Sequence, residues 1–295
     1  MVPVLVFRGL GAVIPTALSC NLHNCWRLRP GPRSGILLVW ASTMPRPWII
    51  AHRGASAYAP ENTLAAFQRA VELGAPFIET DLHLTRDARF VAFHDKVLQR
   101  TTNGQGSVHE YTLAELRELD AGKWFDRQFE GERIPTLDEV LRFARDKDVV
   151  FYLEIKYEAA WGMHHALVAA LREHDASART IVISFDPGTL KSVRELDASM
   201  MVGLLGERAE DDLVKMALAV GARQICPRHD IVTRELVERA HTEGLRVASW
   251  TVNKMEEMRA VLAAGVDGVI TDVPDRLRAL IEDSLVGGDL DRLRS

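Results

Sequence analysis

The stretch "FIETDLHLTRDARFVAFHD", residues 77–95, decides how this chain folds. "FIETDLHL" (77–84) reads as a strand, and "RFVAFHD" (89–95) reads as another. The gap "TRDA" (85–88) is too short to hold a crossover helix. Either it is a hairpin turn, or residues 82–88 run back extended, at about 3.3 Å per residue. Elsewhere from Trp48 onward, apolar runs are separated by helical stretches. "PWIIAH" (47–52) precedes "TLAAFQRAVELG" (63–74), which has apolar residues at 64, 67, 70, 71 and 73 and ends on Gly74. "VVFYLEIK" (149–156) follows a helix expected over 136–146, where Thr136 and Glu139 make a capping box. A helix is expected over 158–174. "TIVISF" (180–185), "MVGLLG" (201–206), "QICP" (224–227), "RVASWTV" (246–252) and "GVITD" (268–272) are further strands, with helical segments between them.

Repeated strand–helix units imply parallel strands, because parallel neighbours need a crossover. The number of units suits an α/β fold of the (β/α)8 TIM-barrel type. An open doubly wound sheet is the alternative, but its Gly-rich phosphate loop is missing, and "GLGA" (9–12) does not match it. Nine strand candidates for eight staves leave the 77–95 stretch as the place where the count must be resolved. Residues 96–135 show no strong periodicity except "TLAELREL" (112–119), so they are expected to form a small insertion after the third strand.

The chain has 295 residues, enough for one large α/β domain or two small ones, and 36 Lys and Arg against 41 Asp and Glu give a net charge of −5. Nothing in that balance points to nucleic acid. Cys20, Cys25 and Cys226 do not form a disulfide framework, so a reducing, cytoplasmic setting is expected. Residues 1–43 stand apart: they contain Arg8, Arg27, Arg29 and Arg33 but no Asp or Glu. Their apolar runs are far below the ~20 residues that span a bilayer. We expect an irregular, poorly ordered extension, with a sensible start at Met44. The alternative is an export signal, with "TALSC" as a poor cleavage site and no basic residue before the first apolar run. The barrel is expected over 44–285, and a tail over 286–295.

Polar residues recur at the ends of the apolar strands: His52 and Arg53, Glu79 and Asp81, His94 and Asp95, Glu154 and Lys156, Trp250 and Asn253. Barrel enzymes build their sites at the C-terminal strand ends. Glu79 and Asp81 are two apart, so both project to one face, and Glu154 and Lys156 do the same. Such carboxylates either salt-bridge Arg or Lys, or hold a cation between them. An oxygen-rich set suits Mg²⁺ or Ca²⁺ better than zinc. His52 and His94 are either structural hydrogen-bonders or a general base and general acid. Arg53 and Lys156 favour an anionic substrate, and a phosphate with two bridging oxygens fits this group of residues.

The stretches "HRGASAYAPENTLAAF" (52–67), "FIETDLHLTRDARFVAFHD" (77–95), "LQRTTNGQGSV" (98–108), "IPTLDEVL" (134–141), "LEIK" (153–156), "SWTVN" (249–253) and "GVDGVITDVPD" (265–275) resemble the glycerophosphodiester phosphodiesterase family, within the phospholipase C-like phosphodiesterase barrels. The resemblance runs in order from residue 48 to about 282. It implies that His52 and His94 are the catalytic acid–base pair and that Glu79, Asp81 and Glu154 hold one divalent cation, Mg²⁺ or Ca²⁺. It implies that Arg53 and Lys156 bind phosphate, and that Glu61 contacts Arg53 or the cation site. Trp250 is either an aromatic wall beside the glycerol moiety or core packing, and Asn62 is expected to cap the following helix. The family usually has Asp-Gly where this chain has Asp87-Ala88, and alanine resists positive φ.

The implied activity is metal-dependent hydrolysis of glycerophosphodiesters to sn-glycerol 3-phosphate and an alcohol. Water attacks phosphorus directly, or the neighbouring glycerol hydroxyl attacks first to give a cyclic phosphate. The alternatives are a lysophospholipase D and a barrel that only binds phosphodiesters. The expected partner is a small-molecule substrate, with no nucleic acid and no stable membrane anchor.

Overall fold

"TRDA" is a hairpin turn. In the computed structural model, which describes residues 46–156 and 162–286, β2 (Phe77–Leu84) doubles back into β3 (Phe90–Ala92). Leu82 pairs with Ala92, His83 with Val91 and Leu84 with Phe90, all antiparallel. The turn closes by Thr85 N–H donating to the Arg89 carbonyl (2.9 Å) and Ala88 N–H to the Thr85 carbonyl (3.0 Å). The Asp87 side chain accepts from Thr85 Oγ (2.6 Å). Ala88 nevertheless takes φ +56°, the left-handed conformation that its Cβ disfavours.

With β3 set aside, eight parallel strands remain. They are β1 (Trp48–Ala51), β2, β4 (Val150–Ile155), β5 (Thr180–Ser184), β6 (Met201–Gly206), β7 (Gln224–Pro227), β8 (Arg246–Ser249) and β9 (Gly268–Thr271). The order is β1-β9-β8-β7-β6-β5-β4-β2, and β1 pairs β2 to close the barrel. Helices α1 (Leu64–Glu72), α3 (Leu137–Lys147), α4 (Met163–Glu173), α5 (Pro187–Leu196), α6 (Leu213–Ala219), α7 (Arg234–Thr242), α8 (Met255–Ala264) and α9 (Pro274–Val286) make the crossovers and the closing element. α2 (Leu113–Leu116) belongs to the insertion. The capping box expected on α3 is present, with Thr136 accepting from Glu139 N–H and Glu139 reaching back to Thr136 N–H. The expectations for residues 1–43, for Cys20 and Cys25, for residues 158–161 of the helix expected over 158–174, and for the tail beyond 286 lie outside the described residues.

Strands buried on both faces build two packed layers. Ile49, Ile78, Phe151 and Val182 face the helices, where Phe67 and Phe143 meet Phe151 edge-on. Trp48, Ile50, Phe77, Val150, Tyr152, Ile181, Ile183, Cys226 and Ile270 fill the barrel interior. Each such large side chain contributes about 1.5–3 kcal/mol by burial. The insertion has a core of its own, in which Val91 and Phe93 pack with Leu98, Val108, Leu116 and Ile134. The β2–β3 hairpin therefore joins the insertion to the barrel wall. Among the described residues, no helix is long and apolar enough to cross a membrane.

Candidate active site

The site grows out of the inward rows of the barrel. Alternate residues of a strand share a face. Trp48 and Ile50 face inward on β1, and the next residue in that row is His52. Phe77 leads to Glu79 and Asp81, Val150 and Tyr152 to Glu154, Ile181 and Ile183 to Phe185, Ala248 to Trp250, and Ile270 to Asp272. The interior is apolar below and polar at the C-terminal mouth. There a cavity of about 110 Å³ is lined by His52, Arg53, Glu79, His94, Glu154, Lys156, Phe185 and Trp250, among others.

Glu79, Asp81 and Glu154 are buried, and each offers a carboxylate oxygen within 4.8 Å of the others. Lys156 Nζ lies 2.6 Å from Glu154 Oε1 and 2.7 Å from Asp81 Oδ1. Arg53 Nε is 3.4 Å from Asp81 Oδ2. Salt-bridging therefore accounts for part of the cluster. Burial would raise Asp81, but the Lys156 and Arg53 cations hold it well below the usual carboxylate range. Glu154 is pushed up to about 6 by burial and by Asp81. Glu79 is raised well above its ordinary value by burial, then by Asp81 and Glu154. Two cations leave this set short of positive charge. Glu79 Oε2 accepts from Arg53 N–H (2.9 Å), whereas Oε1 is buried without a hydrogen-bond partner. An orphaned buried carboxylate oxygen facing two others is what a hard divalent cation would satisfy.

The backbone bends to make these contacts. Arg53 and Asn62 both sit at φ +56°, and Asn62 N–H donates to the Arg53 carbonyl (3.0 Å). Strain of this kind persists where surrounding bonds over-determine it. Asn62 does not cap α1: Thr63 does, accepting from Ala66 N–H. Asn62 is buried, gives Nδ2 to Asp81 Oδ2 (2.8 Å) and accepts from Thr80 Oγ (2.6 Å). It thus holds Asp81, because both of its amide ends are taken by β2. Glu61 accepts from Arg53 NH1 (2.8 Å); burial would raise it, but hydrogen bonds from Arg100 and the Arg53 guanidinium hold it below the usual carboxylate range.

Both histidines are anchored through Nδ1. His52 Nδ1 donates to Asp272 Oδ1 (2.6 Å), and His94 Nδ1 to Asp95 Oδ1 (2.6 Å). Asp272 and Asp95 both lie below their ordinary value, so they are acceptors and each Nδ1 carries the proton. Each Nε2 is then left for chemistry. Burial lowers His94 from its usual value, with Arg53 and Lys156 adding to the effect against Asp81 and Asp95. Trp250 stands at the mouth with its Nε1 donating to the Cys226 carbonyl (2.6 Å) and its ring edge-on to Phe185. It is both packed and part of the wall.

Sequence reasoning missed Asp272, Asp95 and Phe185 as parts of the site. Asp272 and Phe185 were findable, since each is the next inward residue of a strand already recognised. Asp95 was seen only as a strand-end polar residue.

The sequence profile of the Glycerophosphoryl diester phosphodiesterase family matches residues 52–276. A glycerophosphodiester phosphodiesterase of Caldanaerobacter subterraneus subsp. tengcongensis is 42% identical over 79% of this chain and 97% of its own. A Bacillus subtilis enzyme of the same name is 36% identical over 77% of this chain and 83% of its own. Among solved structures, a Silicibacter pomeroyi protein described as a glycerophosphoryl diester phosphodiesterase superposes with TM-score 0.76 at 30% identity, covering 83% of this chain and 97% of that one. An Oleispira antarctica phosphodiesterase, solved with its product sn-glycerol-3-phosphate, gives TM-score 0.74 at 28% identity over 80% and 97%. With the barrel, the paired histidines and the carboxylate cluster already in place, these matches show that the chain belongs to the glycerophosphoryl diester phosphodiesterase family.

Proposed function

We propose that this enzyme hydrolyses glycerophosphodiesters to sn-glycerol 3-phosphate and an alcohol, with His52 and His94 as the acid–base pair. The observation that carries this reading is the pair of carboxylate-anchored imidazoles on one cavity, each with Nε2 left for proton transfer. One histidine takes at Nε2 the proton of the attacking oxygen, which belongs to water or to the neighbouring glycerol hydroxyl. The other enters as the imidazolium and gives its Nε2 proton to the leaving alcohol oxygen, and a cyclic phosphate formed by the second route is then opened by water. Arg53 and Lys156 line the same cavity and bind the phosphate, so the diester sits between base and acid. Trp250 and Phe185 give the apolar side, suited to carbon rather than charge. The product bound by the Oleispira antarctica relative supports glycerol 3-phosphate as the retained half.

Glu79, Asp81 and Glu154 would hold one divalent cation, Mg²⁺ or Ca²⁺. When bound, it supplies Lewis-acid stabilisation of charge on a phosphate oxygen. The protein's own task there is to keep three buried oxygens aimed at one point, which Asn62 and the Arg53 N–H do through Asp81 and Glu79.

The test is a panel of glycerophosphodiesters with purified protein, with EDTA or with added Mg²⁺ or Ca²⁺, detecting glycerol 3-phosphate. Turnover that needs the cation and vanishes in His52→Ala is expected. No release from any member of the panel would overturn the proposal. Faster cleavage of lysophosphatidylcholine than of glycerophosphocholine would make the activity a lysophospholipase D instead.

A further inference from the structure

His94 is placed differently from the rest of the site. Arg53, Glu79, Asp81 and Glu154 sit on or beside strands of the closed barrel, whereas His94 follows β3, which pairs with β2 over only three residues. Its backbone is braced by His83 Nε2, which donates to the His94 carbonyl (2.9 Å). Its ring is set by Asp95, so the ring is only as well placed as the Asp95 carboxylate.

That carboxylate is gripped by Arg100, from the insertion. Arg100 Nε donates to Asp95 Oδ2 (2.6 Å) and NH2 to Asp95 Oδ1 (2.9 Å). The other edge of the same guanidinium takes Glu61: NH1 donates to Oε2 (2.7 Å) and NH2 to Oε1 (2.7 Å). Glu61 in turn accepts from Arg53 NH1. The result is one unbroken chain, Arg53–Glu61–Arg100–Asp95–His94. An exposed ion pair is usually worth little, but a planar fork meeting two carboxylates in bidentate fashion is the exception. Arg100 is itself held rigidly. It ends a short 3-10 turn (Leu98–Arg100) whose Leu98 is fully buried in the insertion's core. Leu98 N–H donates to the Gly106 carbonyl (3.0 Å), and Thr102 N–H donates to the Leu98 carbonyl (3.1 Å).

We propose that Arg100 is a positioning residue that ties the orienting carboxylate of His94 to that of Arg53, so that the proton-transfer group and the phosphate-binding group are held as one unit. The insertion thereby completes the site rather than only covering it. This rests on the proposed roles of His94 and Arg53. A misplacement of about 1 Å at such a group can cost ~10²-fold in rate.

The experiment compares wild type, His94→Ala, Arg100→Ala, Arg100→Lys, Asp95→Asn and the Arg100→Ala/Asp95→Asn double variant on glycerophosphocholine, with melting curves for each. Arg100→Ala is expected to stay folded and lose about 10–100-fold in kcat. Arg100→Lys is expected to recover little, since an ammonium cannot present two forks. Added guanidinium or ethylguanidinium should restore part of the kcat of Arg100→Ala, which a purely structural role would not allow. The double variant should be no slower than the worse single one, because both break the same chain. If Arg100→Ala does not fold, Arg100→Lys and Asp95→Asn carry the same comparison. A folded Arg100 variant with kcat within twofold of wild type, or losses that multiply in the double variant, would overturn the proposal. An inactive wild type, or a fully active His94→Ala, would instead sink the underlying assignment of function.

Discussion

Glu79→Gln separates the two things the carboxylate cluster does. In the metal-free protein Glu79 is a liability. Its nearest carboxylate neighbours have oxygens within 4.8 Å, where two ionised groups repel by about 3.5 kcal/mol at an effective dielectric of about 20. Arg53 and Lys156 offset part of this, yet burial and the remaining repulsion still raise the Glu79 carboxyl well above its ordinary value. Gln keeps an oxygen for the Arg53 N–H that Glu79 Oε2 now accepts and carries no charge. In EDTA the variant is therefore expected to melt no lower than wild type. With cation the order reverses. A ligand at about 100 times its Kd stabilises by about 2.7 kcal/mol, or roughly 5–10 °C for a domain of this size. The variant lacks one carboxylate, and the other two are already engaged by Lys156. Its cation-induced shift is expected to fall below about 2 °C. Melting curves in EDTA and over Mg²⁺ and Ca²⁺ titrations measure both arms. A wild-type-sized cation shift in Glu79→Gln would refute the placement of the cation. A variant melting well below wild type in EDTA would refute the account of the cluster's electrostatics.

Asp272 accepts from His52 Nδ1 and Ser56 Oγ on one oxygen and from Asn253 Nδ2 on the other. Asp272→Asn leaves the shape of the site but removes the charge and one of these two acceptor oxygens, so kcat is expected to drop by about 10²-fold or more with little change in melting temperature. Unchanged kcat would show that the Asp272 contact does not set the catalytic tautomer. Ala88→Gly removes a Cβ from φ +56°, worth about 1–2 kcal/mol, against about 0.5–1 kcal/mol of added chain entropy. A small rise in the urea midpoint is expected, and a fall would refute the claim of strain. At the opposite end of the barrel, Asp267 accepts from His241 Nε2, Val247 N–H and Arg246 NH1, each at 2.8 Å. Burial would raise it, but these donors hold it below the ordinary value of 3.8. The folded state then binds fewer protons, so this stabilisation is present above that value and is lost as pH falls through the depressed one. Asp267→Asn should cost about 2–3 kcal/mol at pH 7, with the gap to wild type closing in acid; a gap independent of pH would contradict the assignment.

Much of the barrel was legible because its signals are local. Each strand after β3 begins within a residue or two of where its apolar run begins, and burial on both faces needs only that run. The site residues on strands were legible for the same reason. Once Phe77 is inward, the period of two sends Glu79 and Asp81 to the mouth without further information. The hairpin was less certain, because four intervening residues suit a turn or an extended return equally well by length. Only the pairing of His83 with Val91 decides it. Ala88 also shows the limit of a residue preference. Bonds from Thr85 and Asp87 around the turn hold a conformation that the side chain alone would avoid. Within the insertion only the stretch around α2 showed periodicity, and α2 lies inside it; the other elements are single 3-10 turns, too brief for any to appear.

Asn62 was misjudged for a more general reason. Asn and Thr are both good helix caps, and here they are adjacent, so the local rule cannot choose between them. Thr80 and Asp81 choose, by engaging both ends of the Asn62 amide from a strand eighteen and nineteen residues away. Arg100 is the same case at longer range, since it bonds Glu61 thirty-nine residues before it. Residues that point into the cavity announce themselves through strand periodicity, because the strand fixes their direction. Residues that hold those groups lie on loops, where direction is set by the partner. A sequence therefore reveals first the groups that line the cavity and those that continue a strand's inward row, Asp272 among them, while Asn62, Glu61 and Arg100 find their partners only when distant loops are brought together. The two classes should also separate in kinetics. On the roles proposed above, loss of His52 or His94 is expected to remove a proton-transfer step outright, while loss of Asp272 or Arg100 is expected to leave the chemical groups present but misaligned, a defect that supplied guanidinium should partly repair in Arg100→Ala.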